Sequence, residues 1–255
     1  MKFFDISVVI PFYNEIHLVK DAVTSVYSQS IIDETCFQII IINDGDYDNE
    51  RIISTLPPSP SPNCELMIVS NNQIKGAGGA RNKGIDICTG EFIAFLDADD
   101  YWHEEKVEKQ LSLLRAGYNF VSTGYSFGKN NDSYVKPPSE IKSKKQLLLN
   151  TNVGTSSVIL KKDLLKNYRF SDREFSQDTE LWAKLASQSE FKYSSVDSCL
   201  TIYRPSQRTR GKIKQAVHFF RLCMDLDLQF ADFFQIFLTY SIKGFFRHFF
   251  SWKKI

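Results

Sequence analysis

No Cys-x-x-Cys pair occurs among the five cysteines, Cys36, Cys64, Cys88, Cys199 and Cys223. An odd number without that spacing argues against a disulfide framework and a structural zinc site, and fits a reducing cytosol. Charge of one sign is lacking too: the formal net charge is +1, so no global field points to nucleic acid. No uninterrupted apolar run reaches the ~18 residues a membrane span needs. The start, Met1 to Ile10, resembles a leader, but Asp5 interrupts its apolar run and Pro11-Phe12-Tyr13-Asn14-Glu15 follows, so it is expected to be a first core strand. Two phosphate-binding patterns are missing. The third glycine of a dinucleotide fingerprint is replaced by Arg81, and G-x-x-x-x-G-K-[ST] does not occur. The Asn131-Asp132-Ser133 sequon carries no weight in a cytosolic protein.

What is present is 255 residues, 43% of them hydrophobic, enough for one large α/β domain or a domain with an appendage. The first half alternates. Ile6–Ile10, Phe37–Ile42, Leu66–Val69 and Phe92–Leu96 read as strands; Glu15–Gln29, Gly79–Cys88 and Glu104–Arg115 have helical spacing. This predicts a mostly parallel sheet covered on both faces. The Pro-Ser run at 57–62 is a loop. From about Tyr118 the pattern changes, with strands at Phe120–Phe127 and Ser156–Leu160, a helix at Thr179–Ala186, and one or two strands within Lys192–Tyr203. Residues 211–255 form a third region, a helical tail with seven Lys/Arg against three Asp and clustered aromatics from Phe219 to Trp252. That composition suits a helix lying in a membrane interface, or helices packed on the domain or on a second subunit.

Ligands of an open parallel sheet bind outside the carboxyl ends of its strands. Three such ends carry polar residues: Pro11 to Glu15, Asn43 to Asp46, and Asp97-Ala98-Asp99-Asp100. Asp97 and Asp99, two apart, supply hard oxygens suited to Mg²⁺ or Mn²⁺ with phosphate completing the shell; the other reading is a solvated turn. Asp100 is expected to cap the helix near His103. Asp44-Gly45 reads as a turn or as an acceptor for a base or ribose, and Tyr13 as a packed aromatic or a base-stacking ring. Arg81, after Gly76, Gly78 and Gly79, pairs with phosphate, holds a site carboxylate, or is a surface residue. Asp178 is a helix cap or a general base.

Together, SVVIPFYNE (7–15), INDGD (42–46), KGAGGARNKGI (75–85), GEFIAFLDADD (90–100) and QDTELW (177–182), in order and at these separations, resemble a family 2 glycosyltransferase of the GT-A fold over roughly residues 1–205. The resemblance implies an inverting enzyme with a nucleotide-sugar donor, most simply a UDP-sugar. It places Pro11, Tyr13, Glu15 and Asp44 around the uracil and ribose, and Arg81 near the diphosphate. Asp97-Ala98-Asp99 match the D-x-D motif, with Asp97 and Asp99 at a Mn²⁺ or Mg²⁺ ion. Asp178 matches the catalytic base, and Trp182 an aromatic of the acceptor pocket. Two positions depart from the family pattern: the base's neighbour is the uncharged Gln177, and Asn43 stands where many relatives carry a second Asp.

The resemblance further implies a saccharide or lipid-linked saccharide acceptor, lipopolysaccharide, O-antigen or capsule synthesis, and a cytoplasmic location with peripheral contact at the inner membrane face through 211–255. Its expected division is a 1–210 catalytic domain, with a nucleotide-sugar half at 1–117 and an acceptor half at 118–210. A sugar nucleotidyltransferase is the alternative enzyme, but it predicts a basic glycine-rich loop where PFYNE stands. A non-catalytic nucleotide-sugar-binding protein is the other alternative, with Gln177 as its sign of decay.

Overall fold

A computed structural model describes residues 4–72, 74–128, 134–204 and 212–251. The Asn131 sequon and Trp252 lie outside them. Eight strands form one sheet in the order β3-β2-β1-β4-β7-β6-β8-β5. They are β1 (Ile6–Phe12), β2 (Phe37–Asn43), β3 (Cys64–Ser70), β4 (Phe92–Phe95), β5 (Tyr101–Trp102), β6 (Phe120–Phe127), β7 (Val158–Lys161) and β8 (Tyr193–Tyr203). The helices are α1 (Val19–Tyr27), α2 (Asn49–Ser54), α3 (Ala77–Ile87), α4 (Lys106–Arg115), α5 (Lys144–Leu149), α6 (Gln177–Leu185), α7 (Lys212–Asp225) and α8 (Phe230–Ser251).

The sheet is parallel from β3 to β4 and then mixed, because β7 runs antiparallel to both β4 and β6. Two reversals bring β6 back to the direction of β1 and β4, and β8 is parallel to β6. The carboxyl ends of β1, β2, β4, β6 and β8 therefore share one edge.

The apolar run of β2 is buried throughout, as a strand covered on both faces must be. Its side chains alternate between two cores. Ile40 and Ile42 join Val9, Phe95 and Trp182 on one face; Ile39 and Ile41 join Val8, Val23 and Leu111 on the other.

Helix starts are where sequence reading and structure differ most. α1 begins four residues later than Glu15, because Asn14 takes a left-handed conformation (φ 63°) and Glu15 closes a turn before any helix can start. Two short helices escape the periodicity reading and are set by caps: Asp48 accepts from Arg51 N at 2.6 Å before α2, and Ser143 caps α5. The tail packs one face inward. Phe219, Leu222, Cys223, Leu226 and Ile236 belong to the main core. Its other face leaves Phe230 84% and Phe234 53% exposed.

Candidate active site

At the end of β1 the chain turns back sharply. Glu15 Oε2 accepts from Tyr13 N at 2.7 Å, and the Tyr13 ring stands out into solvent, 55% exposed. The neighbouring β2 end is tied to it by reciprocal hydrogen bonds between Asn14 and Asp46, of 3.0 and 2.9 Å.

Asp44 is buried, and both of its oxygens are engaged. Oδ1 accepts from Asn71 Nδ2 at 2.7 Å and Oδ2 from the Gly76 amide at 2.6 Å, while Lys75 Nζ lies 3.6 Å from Oδ1. One carboxylate thus locks the β3–α3 loop against the end of β2, leaving only its remaining lone pairs for a ligand. Asn43, where a second Asp was a possibility of the pattern, is a structural residue: its amide donates to Tyr47 O and Asn49 Oδ1.

The Asp97-to-Asp100 turn after β4 is organised by a residue 56 positions away. Ser156 Oγ donates to Asp100 Oδ2 at 2.6 Å and accepts from the Asp97 amide at 3.1 Å. The Ser156 amide donates to the Tyr203 hydroxyl at 3.1 Å, and its carbonyl accepts from Trp102 Nε1 at 2.8 Å. This corrects the expected role of Asp100. Glu105, without a side-chain cap, precedes α4. Asp100 is buried and also accepts from Arg204 N at 3.3 Å. Burial first, then the charge of Asp97, push its carboxyl well above the usual carboxylate range.

Arg81, on α3, donates to Asp97 Oδ1 and lies over the Phe170 ring at 5.3 Å. It is buried, with no protein partner for Nε. Burial alone would lower its pKa; the contact with Asp97, and Asp178 nearby, outweigh that and hold it raised. Burial also raises the Tyr203 phenol well above its ordinary value, with Asp100 and Asp97 adding to the shift.

Asp178 is the second residue of α6, not its cap; the residue preceding the helix is Ser176, in a left-handed conformation. Its Oδ2 accepts from Thr155 Oγ1 at 3.1 Å and its Oδ1 from the Thr179 amide at 2.7 Å. Trp182, the expected acceptor-pocket aromatic, is fully buried and packed between Phe95, Phe120 and Phe170. It offers no surface to an acceptor.

A cleft of about 1050 Å³ runs along the shared strand edge. Pro11, Tyr13, Glu15, Asp44, Arg81, Asp97, Ala98 and Asp99 all line it; Asp178 and Trp182 do not. Four further lining residues, Lys75, Phe127, Tyr203 and Arg204, were not singled out from the sequence. The motifs carried no signal for Phe127 and Tyr203, which end β6 and β8, or for Arg204, which follows β8. Lys75 begins the glycine-rich stretch and could have been found there.

The model of Glycosyl transferase family 2 matches residues 7–168. The chain belongs to glycosyl transferase family 2. Among relatives of this glycosyltransferase is WfgD of Escherichia coli, a UDP-Glc:alpha-D-GlcNAc-diphosphoundecaprenol beta-1,3-glucosyltransferase. It is 30% identical over 205 residues, 79% of this chain and 78% of WfgD. The glycosyltransferase has the GT-A fold. S. aureus TarS 1-349 in complex with UDP superposes with a TM-score of 0.64 at 18% identity, over 91% of this chain and 69% of that one. This chain spans 42% of the longer TarS chain. The mannosyltransferase PcManGT from Pyrobaculum calidifontis, in complex with GDP-Man and Mn²⁺, gives 0.64 at 16% identity, over 94% and 70%.

Proposed function

We propose that this glycosyltransferase moves a sugar from a UDP-sugar to a hydroxyl of a lipid-linked saccharide, with inversion, during synthesis of a cell-surface polysaccharide such as O-antigen or capsule. The observation that carries the reading is one cleft uniting a nucleoside-type wall, an Asp97–Asp99 pair and a buried arginine. The activity of WfgD supports the donor and acceptor classes.

Tyr13 stacks on the base, and Pro11, Glu15 and Asp44 surround the base and ribose; Ala98 lets the turn approach the donor closely. Arg81 holds Asp97 in place and sets its positive charge beside the diphosphate. Asp97 and Asp99 fit a Mn²⁺ or Mg²⁺ ion by chemistry, as hard carboxylate donors. No group of three or more His, Cys, Asp or Glu able to hold an ion occurs among the described residues, so phosphate oxygens and water would complete the shell. When bound, the ion neutralises charge developing on the leaving diphosphate. Asp178 accepts the proton of the attacking hydroxyl, held in orientation by Thr155 and the Thr179 amide. Attack opposite the diphosphate converts an α-linked donor to a β-glycoside.

The test is UDP release from a panel of UDP-sugars with Mn²⁺ and alpha-GlcNAc-diphosphoundecaprenol. Acceptor-dependent release from one donor, lost with a chelator, supports the reading. Failure of UDP itself to bind overturns it.

The outer face of the tail supports peripheral contact with the inner membrane face. Phe230, Phe234, Phe237 and Leu238 are exposed at helical spacing, in a region rich in Lys and Arg. Among the described residues no helix is long and apolar enough to cross a membrane. Because the inner face belongs to the core, the test is Phe230→Ser with Phe234→Ser rather than truncation. The contact predicts reduced co-sedimentation with anionic vesicles; unchanged sedimentation counts against it.

A further inference from the structure

The burial of Trp182 leaves the acceptor saccharide without its expected aromatic contact. The cleft supplies another. Phe127, at the end of β6, lines the cleft and is 52% exposed. We propose that the Phe127 ring is the platform on which the acceptor saccharide stacks; this rests on the transferase reading above.

Position is the first argument. In the strand order β1-β4-β7-β6, Tyr13 follows β1, the Asp97–Asp99 turn follows β4, and Phe127 ends β6. All three lie on the same sheet edge. Three strand spacings separate β1 from β6, roughly 14 Å. The two exposed aromatics of the cleft therefore stand on opposite sides of the carboxylate pair. A nucleoside on Tyr13 puts its diphosphate at that pair, and the reacting sugars fall on the Phe127 side.

Rigidity is the second. Tyr125 and Tyr203 back the ring at centroid distances of 5.8 Å each, and stand edge to face with one another at 4.9 Å. Phe127 and Tyr203 are register partners, and the Gly128 amide donates to Tyr203 O at 2.8 Å. Tyr203 is anchored in turn by the Ser156 amide. It sits so close to the chain at Gly154 that an added Cβ there would lie 2.3 Å from its hydroxyl. An aromatic this exposed is normally free to change rotamer; this one is clamped by two rings.

Proximity to the base is the third. Gly154, under the Tyr203 hydroxyl, precedes Thr155, whose Oγ1 donates to Asp178. The platform and the proposed base are thus joined through a single short segment. Chemistry completes the case. A pyranose presents an apolar face of C–H groups, weakly positive at hydrogen, which matches the negative face of an aromatic ring. Hydroxyls at the pyranose rim stay free for proton transfer.

The experiment uses the full chain, saturated with UDP and Mn²⁺. Methyl glycosides of glucose, galactose, mannose and N-acetylglucosamine are titrated in, with binding read by saturation-transfer NMR; UDP affinity is measured by calorimetry. At least one glycoside binds the parent protein. Phe127→Ala and Phe127→Leu weaken that binding by about tenfold, and Phe127→Tyr restores it, while UDP affinity stays constant. Binding of no glycoside to UDP-loaded protein overturns the platform, as does unchanged glycoside affinity in Phe127→Leu. Equal losses in glycoside and UDP affinity also overturn it, by making Phe127 a donor-side or structural residue. Failure of UDP to bind the parent protein is a different result: it removes the transferase reading itself.

Discussion

The half of the chain up to Arg115 and the half beginning at β6 build the same cleft by different means. In the first, functional side chains follow directly on buried parallel strands, so β1, β2 and β4 each deliver a short polar motif to one edge. In the second, no motif marks the residues that line or brace the cleft. Ser156, Tyr203 and Phe127 come from three separated segments and act through contacts with each other and with Asp97 and Asp100. In the proposed reaction the first half presents ligand-binding groups, while the second half holds them in place and supplies the base. A motif can be copied onto an edge, but a support network exists only once the sheet has closed.

Variants in the two halves should separate these roles. The largest effect is expected for Asp178→Asn, which keeps the shape and removes the proton acceptor. It lowers kcat by about 10² to 10⁴ while UDP affinity is unchanged. Steady-state kinetics with calorimetry checks this, and an unaltered kcat would rule Asp178 out as the base. Gly84→Ala tests the opposite case, packing without chemistry. Its Cβ would lie 2.3 Å from Val9 Cγ1, where α3 crosses β1. Forcing that contact costs about 1–3 kcal/mol of stability, read by denaturant unfolding, with folded-state UDP affinity retained.

Ser156→Ala strikes the support network. Asp100 loses a buried hydrogen-bond donor at a cost of about 1–3 kcal/mol, and the Asp97 amide loses its acceptor. Weakened metal-dependent UDP binding, tracked against chelated controls, is expected along with the lower stability. Normal binding would show that the turn holds its shape unaided.

The smallest effect belongs to the seam between the halves. Lys106 is wholly buried, donates to Gln110 at 2.7 Å and lies over the Trp102 ring, with no carboxylate beside it among the described residues; Gln110 reaches Val121 O and Ser157 O across the seam. Burial lowers its pKa well below the ordinary lysine value. Within the window between that depressed value and the unfolded one, the unfolded chain binds the extra proton, so stability rises with pH and is lost as pH falls. Lys106→Met removes this contribution. Melting temperatures from about pH 6 to about pH 9 should climb less in the variant than in the parent. Equal slopes would mean the ammonium is accommodated inside.

This contrast also explains what could be read in advance. The alternating strands and helices of the first half, and the residues at their ends, were legible because burial on both faces writes itself as an apolar run and the following turn as polar residues. Asp100 was misread because cap statistics weigh only the local chain, whereas its donor, Ser156, is supplied by a distant segment. Trp182 was misplaced because an aromatic on a helix reads the same in sequence whether it lines a pocket or fills the core; here Phe95, Phe120 and Phe170 enclose it. Phe127 carried no signal at all: an aromatic at the end of a strand looks the same whether it faces core or cleft. The short helices α2 and α5, at six residues each, are below the length at which periodicity is visible.

Calorimetric titration of UDP with Mn²⁺ present and with Mn²⁺ chelated, on the parent protein and Asp99→Asn, tests the central claim most directly. The account predicts binding that weakens strongly on chelation and in the variant alike. Binding of equal strength under all conditions would contradict the assignment of Asp97 and Asp99 to a metal–diphosphate, and absence of binding would contradict the nucleotide cleft as a whole.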